Sequence, residues 1–218
     1  MVGMSQTDSQ ISKLQSIKYF TPARSIAEAN SILPKVEGIV EKYAETLIAW
    51  KRENDTIQHA SDLLWDLARV EAMKQGCKNT WDSAWDYAWK EASSAARNNY
   101  GWYGGEFLTG ETARDAARDA AKYAARYAAF ESVKEKLGGT NPFEYVIELY
   151  SMGLRPTYFR KVDEQEKFVV DFPLKVGDKN VIGCYLQGDK QISFTHQWIE
   201  YCMNLKPVNN SDSARSFV

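Results

Sequence analysis

Only two histidines, His59 and His196, are available for acid–base or metal chemistry in this chain. His59 falls in a helical pattern with Asp62 as its single potential co-ligand, so a surface or structural role is expected for it. His196 shares a short C-terminal stretch with Cys184, Glu200 and Cys202, a set that could support cysteine–histidine or metal chemistry. Their spacing matches no zinc pattern, because zinc sites usually present ligands in pairs two to four residues apart. Asp82 with Asp86, and Asp115 with Asp119, each place two carboxylates one helical turn apart. Di-metal helical bundles also need inward Glu-x-x-His pairs, which this chain lacks, and Arg114, Arg118 and Lys122 stand beside the second pair. Solvated salt bridging is the expectation there. Gly101, Gly104 and Gly105 frame Trp102 and Tyr103 in an aromatic loop that has no Lys-Ser/Thr ending and follows a helix, so it satisfies no phosphate-loop context. Trp102 and Tyr103 are instead the expected partner contact, since rigid aromatics at a loop tip are typical binding anchors. No catalytic residue, resident metal or cofactor is expected.

The elements that must carry these residues can be read from period and punctuation. Ser25 followed by Glu28 has capping-box spacing, so a helix should begin near Ser25, break at Pro34 and resume to about Asn54. From Thr56 to Lys74, Ile57, Ala60, Leu63, Leu64, Leu67 and Val70 recur at amphipathic spacing, with Gly76 as C-cap. Thr80 to Arg97 carries Trp81, Trp85 and Trp89 beside a column of Ala84, Ala88, Ala92 and Ala96. Glu111 to Leu137 forms a fourth helix, and Asn141 with Pro142 opens a short fifth one that Gly153 ends. Beyond Pro156 the period becomes alternating, over 158–162, 167–174, 180–187 and 191–195, with turn residues between the runs. The segment from Gln197 to Leu205 can be read as strand or helix.

The fourth helix is written in tetrads, with alanine at 116, 117, 120, 121, 124, 125, 128 and 129. Four residues advance a helix by about 400°, so each tetrad drifts by about 40°, and doubling the alanines keeps one broad face smooth. An alanine methyl contributes only about 0.8 kcal/mol on burial, so large side chains must fill that face. The chain's 7 Trp, 12 Tyr and 9 Phe can do so, and Trp81, Trp85, Trp89, Tyr123 and Tyr127 are expected to pack in the core or between helices, with a stacking surface for bases or sugars as the alternative. Glu111 with Arg114, Asp115 with Arg118 and Asp119 with Lys122 are spaced for ion pairs along the helix.

These elements give an α+β class: a predominantly helical bundle of about five helices, followed by a small antiparallel β meander of three to four strands. The 218 residues suit one domain over 17–207, helical to 154 and β from 155, with mobile tails at 1–16 and 208–218. A composition of 44% hydrophobic and 26% charged residues excludes a disordered chain, and a net charge of -2 with mixed signs argues against nucleic acid. Three scattered cysteines, no secretory leader and no run of about 18 apolar residues point to a cytoplasmic protein without membrane association.

The opening Tyr19-Phe20-Thr21, Glu28-Ala29-Asn30 and Leu33-Pro34 resembles that of a small uncharacterised prokaryotic family with a Phe-Thr, Glu-Ala-Asn, Leu-Pro start. The alanine tetrads, with Asn141-Pro142-Phe143-Glu144 and Leu149-Tyr150 before Gly153-Leu154, resemble uncharacterised prokaryotic proteins with Ala/Trp/Asp repeats, some in immunity contexts. Neither resemblance implies a catalytic residue. The leading expectation is a non-enzymatic protein-interaction module, an adaptor or an immunity-type binder, with an unknown protein partner. One alternative is an enzyme or small-ligand binder at Cys184 and His196. Another is a homo-oligomer that buries the alanine face between protomers.

Overall fold

A computed structural model describes residues 13–15, 17, 19, 24–53, 55–99, 110–176 and 179–194. After a helical turn over 13–15, the order is β1 (Arg24–Ser25), α1 (Ile26–Ile48), α2 (Ile57–Lys74), α3 (Lys78–Asn99), α4 (Gly110–Leu137), α5 (Phe143–Ser151), β2 (Arg155–Val162), β3 (Gln165–Val176), β4 (Lys179–Leu186) and β5 (Ser193–Phe194). Helices followed by a β meander give the α+β class the sequence implied. None of the described helices is long and apolar enough to cross a membrane.

The caps lie where local chemistry places them. Ser25 Oγ accepts from the Glu28 amide at 3.2 Å while the Glu28 carboxylate accepts from the Ser25 amide at 2.8 Å, a complete capping box. At α2, Thr56 Oγ1 accepts from the His59 amide at 3.0 Å, and the Glu166 carboxylate reaches across from β3 to accept from the Ile57 amide at 2.6 Å. Gly76 and Gly153 end α2 and α5 with φ of 73° and 76°, the left-handed conformation that suits glycine. Asn141 Oδ1 accepts from the Phe143 amide, so Asn141 caps α5 as expected, although the helix starts at Phe143.

One expected boundary is absent. Pro34 does not break the chain into two helices, because α1 runs uninterrupted from Ile26 to Ile48. Pro34 lies on the exposed side of α1, so the carbonyl it deprives of a donor can turn to water.

The centre of the molecule is α4. Residues 123–130 are all buried, and the tetrad alanines from Ala116 to Ala129 are 0–3% exposed. Its most extensive neighbour is α3, whose Ala84, Ala88 and Ala92 are equally buried, and α2 and α5 close further sides. Small faces meeting small faces let the helices approach closely, and the aromatics fill the margins. Trp81 is buried, and Trp85 and Trp89 pack partly buried against the same core. The alanines are thus consumed inside one chain, so this face is not free to pack a second copy.

The sheet is mixed, not purely antiparallel. β2, β3, β4 and β5 form the expected meander, and the two residues of β1 add to β3 in parallel, with Arg24 opposite Leu174. Asp163 and Glu164, both left-handed at φ 47° and 66°, make the two-residue turn between β2 and β3. Tyr43 of α1 docks on the sheet with ring centroids 5.0 Å from Phe168 and 5.7 Å from Phe159.

Candidate functional site

Of the residues nominated from sequence, Trp102, Tyr103, His196, Glu200, Cys202 and the segment from Gln197 to Leu205 lie outside the described residues. Cys184 lies on β4, with Asp171 of β3 as its register partner. Burial, aided by the charges of Asp171 and Asp189 and opposed by Arg160, pushes its thiol up to about 11. That shift disfavours the thiolate, the nucleophilic form, at neutral pH. Among the described residues no group of His, Cys, Asp and Glu could hold a metal ion. His59 is an exposed side chain 3.7 Å from Asp55, the surface role expected for it.

Next to Cys184 the fold builds a charge cluster the sequence did not announce. Asp119 of α4 does not pair with Lys122; its Oδ2 accepts from Arg155 Nη2 at 2.8 Å. The other arm of Arg155 lies 3.7 Å from Asp171, its register partner on β3. One guanidinium thus ties the central helix to the sheet and is shared by two carboxylates. Burial pushes the Asp171 carboxyl up to about 6, with Arg155 opposing and Asp119 adding to the shift. The cluster holds elements together.

A second charge enters the core of α4. Arg126 is buried, and its guanidinium donates to Ser61 Oγ at 3.0 Å and to the Asp62 carboxylate. It lies over the rings of Tyr123 and Phe143, at 5.7 and 5.8 Å. Tyr43 joins the network through a 3.3 Å contact between its hydroxyl and Ser61 Oγ. The signal was present in the tetrads: the basic column at 114, 118, 122 and 126 turns by about 40° per step, so its last member arrives on the buried side. Arg114, Arg118 and Lys122 are exposed, and Arg126 is not.

On the outer side of α2 the amphipathic reading needs correction. Leu67 and Val70, expected in the core stripe, are 50% and 45% exposed, and Met73 is 52% exposed. The residues α2 buries are Ile57, Ala60, Ser61, Leu64, Ala68 and Ala72. Its inner face is made mostly of small side chains because it must approach the alanines of α4, and the larger Leu67, Val70 and Met73 are left outside. Charges rim this stripe and are already matched. Arg69 lies 3.5 Å from Asp66, and Glu71 sits between Lys74 at 3.4 Å and Lys136 at 2.7 Å. The stripe thus combines exposed apolar side chains with ion-paired charges beside them, a composition that also occurs at protein contacts. Ile48 and Tyr158 are also half exposed, on α1 and β2. Comparison with family models, with curated proteins and with solved structures finds no match to this chain.

Proposed function

We propose that this chain is a non-enzymatic protein-interaction module that binds through the outer face of α2. The observation that carries the reading is the row of Leu67, Val70 and Met73, half exposed at successive three-residue steps on one helix. Burying the remaining half of each is worth about 1 kcal/mol, so the row offers about 3 kcal/mol, or roughly a hundredfold in affinity. An adaptor or immunity-type role in the cytoplasm is consistent with that chemistry, as is a contribution from Trp102 and Tyr103. Affinity capture from the native host with wild-type and Val70→Glu baits tests it. The expected result is a stoichiometric partner, a second copy included, that is lost with Val70→Glu. No partner and no self-association across micromolar concentrations would refute it.

A small-ligand or catalytic reading keeps one observation in its favour, the buried Asp171 carboxyl, titrating near neutrality, across the strand from Cys184. Alkylation of Cys184 decides that reading. A thiol of ordinary or sluggish reactivity at pH 7 rules out its use as a nucleophile.

A further inference from the structure

The residues around the α2 stripe have a symmetry of their own. Val70 is the midpoint of the segment Asp66–Lys74, with Leu67 and Met73 three residues to either side and Asp66 and Lys74 four to either side. Four residues turn a helix by about 400°, so Asp66 and Lys74 each lie about 40° from the direction in which Val70 points, on opposite flanks. When two copies of such a helix meet antiparallel, with Val70 against Val70, Asp66 of each copy stands at the height of Lys74 of the other. Both side chains lean toward the partner helix. At an interhelical distance of about 8–10 Å that separation is within reach of an aspartate and a lysine.

We infer that α2 is a self-complementary surface and that its occupant is a second copy of this chain, packed antiparallel about a two-fold axis at Val70. This rests on the reading of the stripe as an interaction surface and names its partner. The apolar centre is Val70 with Leu67 and Met73 around it, all half exposed in the single chain. Asp66 and Lys74, at about 40° from the direction of Val70, lie nearer the seam than Leu67 and Met73 at about 60°, so the charged pairs stand directly above and below Val70. Within each copy Asp66 already holds Arg69 and Glu71 already holds Lys74. The two-fold sets Asp66 of each copy across the seam from Lys74 of the other, once above and once below Val70, with the intrachain partners Arg69 and Glu71 behind them on the outer sides. An isologous contact needs this property, since every residue in it must find its complement on the same surface. The charges also select direction. A parallel pairing brings Asp66 beside Asp66 and Lys74 beside Lys74, which repels. Because the apolar area is small, the dimer belongs to the weak, reversible class.

Sedimentation equilibrium of the full chain tests this, with far-UV circular dichroism to show that each variant is folded. Asp66, Val70 and Lys74 are exposed, so their replacement leaves the core intact. Wild type should approach twice the 24.8 kDa chain mass as its concentration rises into the micromolar range. Val70→Glu should weaken association at least tenfold. Asp66→Lys and Lys74→Asp, each alone, should weaken it comparably, because each creates two like-charge contacts across the axis. Mixed in equal amounts, these two variants should associate again to within about threefold of wild type, since each mixed pair restores two opposite-charge contacts. Wild type that stays monomeric to ~100 μM overturns the inference. So does a dimer indifferent to Val70→Glu, or a mixture that fails to recover. A different protein captured in a manner sensitive to Val70→Glu, with the chain itself monomeric, would likewise overturn the self-pairing while sustaining the broader interaction reading.

Discussion

Replacing Asp171 by Asn should stabilise the protein at neutral pH, although it deletes one side of an ion pair. Arg155 holds Asp119 at 2.8 Å and Asp171 only at 3.7 Å, so one positive charge is divided between two carboxylates. Burial dominates, and the Asp171 carboxyl rises from 3.8 to about 6. The native state therefore holds this proton more tightly than the unfolded chain does. The stability it confers is complete below about pH 4 and is lost as pH rises through 6. At 1.36 kcal/mol per pH unit, a shift of about two units makes the ionised form costlier by about 3 kcal/mol at pH 7.5 than at pH 3.5. That is an upper bound, since 17% of the side chain remains exposed and solvent screens it. Asn keeps the shape without the charge, and Arg155 keeps Asp119. Urea unfolding of both proteins from pH 4 to 8 should show the variant gaining 1–3 kcal/mol on wild type as the pH rises through that window. A variant less stable than wild type by more than about 1 kcal/mol at pH 7.5, with a difference independent of pH, would show that the Arg155 contact outweighs burial, and the reasoning would fail.

Three further outcomes follow from the packing. Arg126→Ala should cost about 2–5 kcal/mol in chemical denaturation, because it removes a donor to Ser61 and Asp62 and leaves a void against Tyr123 and Phe143. Pro34→Ala should raise stability by about 1–3 kcal/mol, since it restores a helical amide at an exposed position within α1, and a loss would show that the ring makes a needed contact. Gly183→Ala should cost about 1–3 kcal/mol, because its methyl would lie 2.5 Å from Ile192 Cγ2 and 2.6 Å from Leu174 Cδ1, and thermal unfolding reports it.

What was legible in the sequence was local. The capping box at Ser25, the glycine stops at 76 and 153 and the hairpin turn near Asp163 each depend on a few neighbouring residues, and each is present. What was not legible depended on which side of an element another element covers. Leu67 and Val70 fitted an amphipathic pattern, yet the pattern cannot say whether the bulky or the small face of α2 turns inward. The neighbour's alanines decide that. Pro34 stops a helix only where its lost bond cannot be met by solvent. Asp119 had a lysine at the right spacing, but Arg155, distant in sequence, offered a better geometry through the fold. Arg126 required following a 40° drift through four tetrads. The candidate surface was thus half visible: two of its three apolar residues were singled out, with the wrong destination.

The two residues of β1 have a consequence for how this chain folds. Arg24 is paired with Leu174, so the first strand of the sheet waits for a partner made roughly 150 residues later. Arg24 also donates to the carbonyl of Met152, 128 positions away, and Glu166 completes the first turn of α2 from 109 positions away. Contacts of such long reach slow the search for the native state, because each closes a large loop before it is rewarded. During synthesis, α1 and α2 emerge well before the strands that tether them. A chain ended after α5 loses these tethers and should unfold at lower denaturant and less cooperatively than the full chain, which urea titration followed by circular dichroism would show.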